Sequence, residues 1–377
     1  DDLVNVLHLA HVRWYNAEAQ YAVDLAGEMA RQGHGSAVLG EPGSPTLAAA
    51  VARGIPVEAE GGFSAKGLGA LRALAASRRL LALLRGRRFD AVEVHRSEGL
   101  PLIVWACRRA GVPCVRVRGD MRPVRTDPLN RWVYRRGLSG VVASNRAVEA
   151  DLLRRLGPGL RVATIHGGVD AAEFTPEGER TDPRGELGFP PGAFLVGILG
   201  RLGHLKGHDV FLEAARSAAA RGCPAHLVVL VKEACTREAE LRTRVAGDAL
   251  LRGRVGFLGR RDDLPSVLRS FDLGVVASTG SEANCRVALE WMSSGVPLVA
   301  SRIGVLPDLV EEGETGFLVA PGAASDLAEK FVYLGSRPDE ARRLGGEARR
   351  RVVSRFSLER CAAAHLACLR ETRRDER

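Results

Sequence analysis

Two carboxylates and two cations carry the first suggestion of chemistry. Glu282 and Glu290 lie eight positions apart in S-T-G-S-E-A-N-C-R-V-A-L-E-W-M-S-S-G-V-P-L-V-A, Ser278 to Ala300. On a single helix, eight residues would turn them about 80° apart and separate them by about 12 Å along the axis, too far for a paired acid and base. The pattern instead predicts Glu282 in a loop and Glu290 on the second turn of a helix. The backbone N–H groups near Asn284, Cys285, Arg286 and Val287 would then lie between them, at a helix N-terminus suited to phosphate. Such a site can hold a sugar at one end, a diphosphate in the middle and a ribose at the other.

The cations are Arg201 and Lys206, in G-R-L-G-H-L-K-G-H-D, Gly200 to Asp209. Arginine offers a planar fork and lysine a point charge, and together they can neutralise a departing diphosphate. His204 and His208, in the same loop, read as surface residues.

These residues need elements to position them. Apolar runs predict strands at 4–10, 36–39, 91–94, 114–117, 141–143 and 162–165, with helical or Arg-rich amphipathic segments between. Residues 167–193 are dominated by proline, glycine and charge, which reads as a linker. A second series follows at 194–199, 226–231, 254–258, 273–277, 297–301 and 316–319. Val287, Leu289 and Met292 give the helix after Glu282 its apolar positions, and Gly295 is its stop signal. Strands alternating with helices predict α/β domains with parallel, doubly wound sheets. The expected boundaries are 1–168, a linker at 169–193, and 194–354, with a last helix within 355–377.

The stretch from Ser278 resembles the donor-site signature of group 1 (family four) retaining glycosyltransferases: Glu, seven residues, Glu, a small-residue helix end, then G-x-P-[VL]-V-A. The Gly200 loop is similar to that family's G-R-[LF]-x(3–4)-K-G. The resemblance implies a GT-B fold, two Rossmann-like domains facing across a cleft, with the C-terminal helix crossing back onto the first domain. It implies transfer from a nucleotide-diphosphate sugar to an acceptor hydroxyl of a cell-envelope glycan or glycolipid, of lipopolysaccharide or polysaccharide type. Glu282 would contact the transferred sugar as a catalytic residue and Glu290 the ribose. Arg201, Lys206, Asn284, Cys285 and Arg286 would hold the donor diphosphate. No cofactor and no metal are expected; the chain has no Asp-x-Asp.

The first half matches more loosely. D-A-V-E-V-H-R, Asp90 to Arg96, resembles D-[VI]-V-H-x-H with Glu93 in place of the first histidine, and implies a second catalytic residue, His95. T-I-H-G-G-V-D, Thr164 to Asp170, resembles the family's I-P-N-G-V-D. Two departures concern the acceptor side: Asn16-Ala17 replace a glycine pair, and Arg118 stands where the family often has a cleft histidine. The glycine loss lets that loop approach the donor less closely.

At 377 residues, with 26% charged, the chain suits two globular domains. Seven scattered cysteines without C-x-x-C point to reduced thiols in a cytoplasmic protein, and no apolar run approaches the roughly 20 residues of a membrane span. All of the net charge of +9 falls within residues 1–168. Residues 61–89 hold seven cations and no acid, with Leu68, Leu71, Leu74, Leu81 and Leu84 beside Arg72, Arg78, Arg79 and Arg85. That composition suits a helix on an anionic leaflet, at the inner face of the plasma membrane. Rival readings are a GT-B sugar-nucleotide epimerase or phosphorylase, or a basic nucleic-acid-binding protein. A pyridoxal-phosphate phosphorylase would have only Lys66, Lys206, Lys232 and Lys330 to draw on, and 5% aromatic residues argue against nucleic acid.

Overall fold

The computed structural model describes residues 3–63, 69–231 and 236–375, with side chains to Thr372. The chain forms two compact units, residues 1–167 with 358–377, and residues 168–357.

Unit 1 holds strands β1 (Asn5–Leu9), β2 (Gly35–Gly40), β3 (Val57–Ala59), β4 (Ala91–Val94), β5 (Cys114–Arg118), β6 (Gly140–Ala143) and β7 (Val162–Thr164). They form one sheet in the order β3-β2-β1-β4-β5-β6-β7, every pair parallel. Helices cover both faces, so the central strands are apolar on both sides. β3, three residues at the sheet edge, was not expected from the sequence; V-E-A is too short to show a period. The helix Leu358–Asp375 belongs to this unit, and its Leu366 and Leu369 pack with Val6, Val115 and Val142.

Unit 2 holds β8 (Leu195–Gly200), β9 (His226–Val231), β10 (Val255–Leu258), β11 (Leu273–Val276), β12 (Leu298–Ser301) and β13 (Gly316–Val319). The order is β10-β9-β8-β11-β12-β13, again all parallel. Both sheets reverse their strand order once, at β1/β4 and at β8/β11. In doubly wound sheets such a reversal opens a crevice at the carboxyl ends of the strands, where ligands bind.

Residues 168–193 lie within unit 2. Phe174 and Phe189 are buried in its core. Arg349 donates to the carbonyls of Ala171 and Phe174, and Arg269 to those of Thr175 and Glu179. The proline-rich stretch is thus tied down by arginine side chains on neighbouring elements.

The basic helix of unit 1 spans Gly69–Gly86. Its inward side is Ala73, Ala76, Ser77, Leu80 and Leu84. Leu74 and Leu81 are half-buried and Leu71 is 80% exposed; Leu68 lies outside the described residues. Most of the leucine stripe therefore packs against protein, contrary to a fully lipid-facing side. Among the described residues, no helix is long and apolar enough to cross a membrane.

Candidate active site

The two motifs of the second half, about eighty residues apart, meet at the β8/β11 reversal. β8 and β11 are register partners, Leu273 opposite Val196, so the loops leaving their carboxyl ends emerge side by side. The Thr279 N–H donates to the Leu205 carbonyl at 3.0 Å. Gly207 sits at φ +74°, and a Cβ there would stand 1.8 Å from the Ala277 carbonyl oxygen. Only glycine permits this contact.

Lys206 Nζ lies 2.5 Å from Glu282 Oε1, and Ser278 Oγ donates to the same oxygen at 2.5 Å. Glu282 is buried, while Lys206 keeps 37% of its side chain exposed. Arg201 is exposed at the start of the same loop. The Glu282 carbonyl accepts from Val305 N at 2.8 Å, and Gly304 lets that backbone approach. Glu282 is thus held at both its main chain and its side chain.

The helix after it spans Arg286–Ser293 and places Glu290 on its second turn. Arg286 Nε meets Glu290 Oε1 at 2.8 Å. Trp291, fully buried, fixes the rotation of this helix. It lies against β8 and β11 where Gly197 and Gly274 leave room, since a Cβ at either would stand 2.7 or 2.5 Å from the indole. Cys285 precedes the helix at φ +27°, the one non-glycine at positive φ among the described residues. Burial pushes its thiol well above the usual range, with the Glu282 charge adding to the shift. Asn284 Oδ1 is buried without a hydrogen-bond partner.

Sequence reasoning had His208 on the surface; it is buried, and neither ring nitrogen has a hydrogen-bond partner. Burial lowers its pKa to about 4, so the ring is neutral at pH 7. His204 is exposed. Ser278 and Gly304 were not singled out by the sequence, because a serine and a glycine in a loop carry no signal until the loop's neighbours are known.

In unit 1, Asn16 caps the helix Ala17–Arg31, its side chain accepting from Ala19 N at 2.9 Å. Arg118 ends β5, buried, donating to the Arg122 carbonyl; it is not a surface arginine. His95 follows β4 and is buried, its Nε2 3.4 Å from His8 Nδ1. Glu93 Oε1 lies 2.7 Å from His365 Nδ1, and His365 Nε2 lies 2.7 Å from the Tyr21 hydroxyl. Burial pushes the Glu93 carboxyl up, but the facing His365 and His8 outweigh it and hold it well below the usual carboxylate range. Burial likewise lowers His365, and the Glu93 charge reverses this, raising it to about 10. The pair pins the last helix to the sheet.

Residues 193–336 match the family described as glycosyl transferases group 1, and residues 19–173 match glycosyltransferase family 4. A D-inositol 3-phosphate glycosyltransferase of Saccharomonospora viridis is 32% identical over 71% of this chain and 67% of its own length. The lipopolysaccharide core biosynthesis mannosyltransferase LpsB of Rhizobium meliloti is 30% identical over 71% of this chain and 79% of its own. Among solved structures, Anabaena HepE in complex with UDP superposes with a TM-score of 0.81 at 23% identity, over 98% of this chain and 100% of that one. The lipopolysaccharide outer core galactosyltransferase WaaB superposes with a TM-score of 0.72 at 12% identity, over 98% of this chain and 99% of that one. Two parallel-sheet units, the family matches and these relatives together make the chain a GT-B enzyme of glycosyl transfer, a member of the group 1, family 4 glycosyltransferases.

Proposed function

We propose that the enzyme transfers a sugar from a nucleotide-diphosphate donor to an acceptor hydroxyl, with retention at the anomeric carbon. The observation that carries this is the convergence of Arg201, Lys206, Glu282 and the 286–293 helix at one strand reversal. Arg201, Lys206 and the amides near Asn284, Cys285 and Arg286 would take the diphosphate, and Glu290 the ribose. Glu282, held by Ser278 and Lys206, would position the sugar. The bond from C1 to the leaving phosphate oxygen breaks, the acceptor oxygen bonds C1 on the same face, and the acceptor proton passes to that phosphate oxygen. No carboxylate pair about 5 Å apart, as a double-displacement glycosidase requires, is invoked. HepE, solved with UDP and with UDP-glucose, supports a nucleotide sugar as donor.

LpsB and WaaB, both named for lipopolysaccharide, support an envelope glycan or glycolipid as acceptor. Asn16, Arg118 and His95 belong to the proposed acceptor side. The proposed location is the inner face of the plasma membrane, with Arg72, Arg78, Arg85 and the exposed Leu71 meeting anionic lipid.

Calorimetry with UDP- and GDP-sugars tests the donor assignment. Lys206→Met should weaken binding by about 1.5–3 kcal/mol, the range for a hydrogen bond to a charged group. Glu282→Gln should lower kcat more than affinity for the bare nucleotide diphosphate. Added Mg²⁺ or Mn²⁺ should leave turnover unchanged within about twofold, because Arg201 and Lys206 supply the charge. Unchanged donor affinity in Lys206→Met would remove the donor site, and an inverted product would remove the same-face mechanism.

A further inference from the structure

A second cluster of chemical groups lies at the strand reversal of unit 1, away from the donor motifs in sequence and in a different unit. His8 on β1 and Glu93 on β4 are register partners. In a parallel pair, such residues put their side chains on the same face. His95 follows Glu93 by two positions and shares that face. All three are buried.

The donor atoms converge. His8 Nδ1 is 3.3 Å from Glu93 Oε2 and 3.4 Å from His95 Nε2, and Glu93 Oε2 is 4.0 Å from His95 Nε2. A point equidistant from these three atoms lies about 2.1 Å from each, within the zinc–nitrogen and zinc–carboxylate range. Glu93 Oε2 is also left without a hydrogen bond, although it is wholly buried. His365 meets the other carboxylate oxygen, Oε1, which leaves Oε2 facing His8 and His95.

An outer layer is in place as well. Glu93 uses its other oxygen for His365 Nδ1, and His365 Nε2 meets the Tyr21 hydroxyl. Ligating carboxylates are commonly oriented by such partners.

We propose that His8 Nδ1, Glu93 Oε2 and His95 Nε2 bind one divalent cation of the zinc class. Two imidazoles and one carboxylate favour Zn²⁺, with Co²⁺ as a close mimic, over Mg²⁺ or Ca²⁺, which take oxygen ligands. The cation fastens β1 to β4 and, through Glu93 and His365, to the C-terminal helix. It occupies the Nε2 lone pair of His95, so His95 is then a ligand and not a proton acceptor. The proposal stands on unit 1 alone and does not depend on the donor reading.

The test uses the untagged full chain, stripped with a chelator, dialysed and titrated with Zn²⁺ and with Co²⁺. One equivalent of Zn²⁺ should remain after gel filtration and raise Tm. One equivalent of Co²⁺ should give visible d–d bands of a four- or five-coordinate site. Folded His8→Ala and Glu93→Gln variants, checked by circular dichroism, should bind at least tenfold more weakly. If the variants do not fold, proton NMR of the Co²⁺ protein decides: two paramagnetically shifted imidazole N–H signals are expected, and fewer than two overturn the site. Failure of the wild type to retain Zn²⁺ or to develop cobalt bands overturns it too, as does equal binding by wild type and folded His8→Ala. Donor affinity is measured on the same samples, so loss of the metal site and loss of the donor site read out separately.

Discussion

Cys285 shows what a single residue can reveal about a site. Its φ of +27° costs a side chain with a Cβ roughly 1 kcal/mol or more, and only glycine escapes that cost. Inside a helix or strand, replacing alanine by glycine destabilises a protein by about 0.5–1 kcal/mol. Here the order should reverse: Cys285→Ala, which keeps the strain and loses the sulfur, should melt below Cys285→Gly. Thermal denaturation of the two variants checks this, and alanine melting above glycine would mean the backbone is not strained. The thiol itself, pushed well up by burial and Glu282, should react slowly with alkylating reagents. The sequence offered Cys285 only as part of the diphosphate loop. Three residues before it, the Glu282 backbone is closely approached by Gly304, a contact between segments that the sequence does not show.

At the scale of elements, the candidate site depends on two loops held together by close backbone contacts, Thr279 N–H to the Leu205 carbonyl and Gly207 against the Ala277 carbonyl. Gly207→Ala would force a Cβ to 1.8 Å from the Ala277 carbonyl while keeping φ at +74°. The left-handed conformation alone costs about 1–2 kcal/mol, and the displaced strand end adds to it. Urea unfolding should show a loss of at least about 2 kcal/mol, and donor affinity should fall with it because Lys206 moves. Stability within about 0.5 kcal/mol of wild type, the usual scatter of surface substitutions, would refute the close approach. The helix carrying Glu290 is set in a different way. Trp291 fits the gap left by Gly197 and Gly274 and meets Phe271 edge-on at 5.2 Å, so Glu290 is aimed by its neighbour's packing. In the sequence those glycines are only two positions inside expected strands; the sheet shows that they face one tryptophan.

Across the whole molecule, charge is the property that sequence and structure share most directly. The +9 excess lies in residues 1–168. On the helix Gly69–Gly86, Arg72, Arg78 and Arg85 are exposed, while Arg79 is paired with Glu60. Since the leucine stripe is mostly packed inward, attraction to a bilayer would be chiefly electrostatic, at about 1 kcal/mol for each surface cation. Sedimentation with phosphatidylglycerol vesicles should therefore rise with anionic content and fall steeply with salt. Arg72/Arg78/Arg85→Glu should abolish it and leave donor affinity unchanged. Absence of binding at low salt would rule out the membrane contact.

Local periodicity was enough to locate twelve of the thirteen strands among the described residues within a residue or two, because a buried parallel strand must be a continuous apolar run between helical patterns. The missing strand, Val57–Ala59, is a three-residue edge whose residues are only partly buried, so burial pressure left no pattern to read. The cation and carboxylate motifs stood out by their spacing, and the fold brings Lys206 against Glu282. Contacts between residues distant in sequence were not legible. His8 and Glu93 are 85 positions apart and become neighbours only because β1 lies beside β4. His365 reaches Glu93 only because the last helix returns to the first sheet. His208, polar and between Gly207 and Asp209, reads as exposed until the helix it opens is seen to turn it inward. Sequence by itself determined which segments become strands and which loops carry charge, since those follow from the burial and polarity of neighbouring residues. Which loops meet, and which polar groups are enclosed together, was decided by strand order, a property of pairing between distant segments that no local pattern encodes.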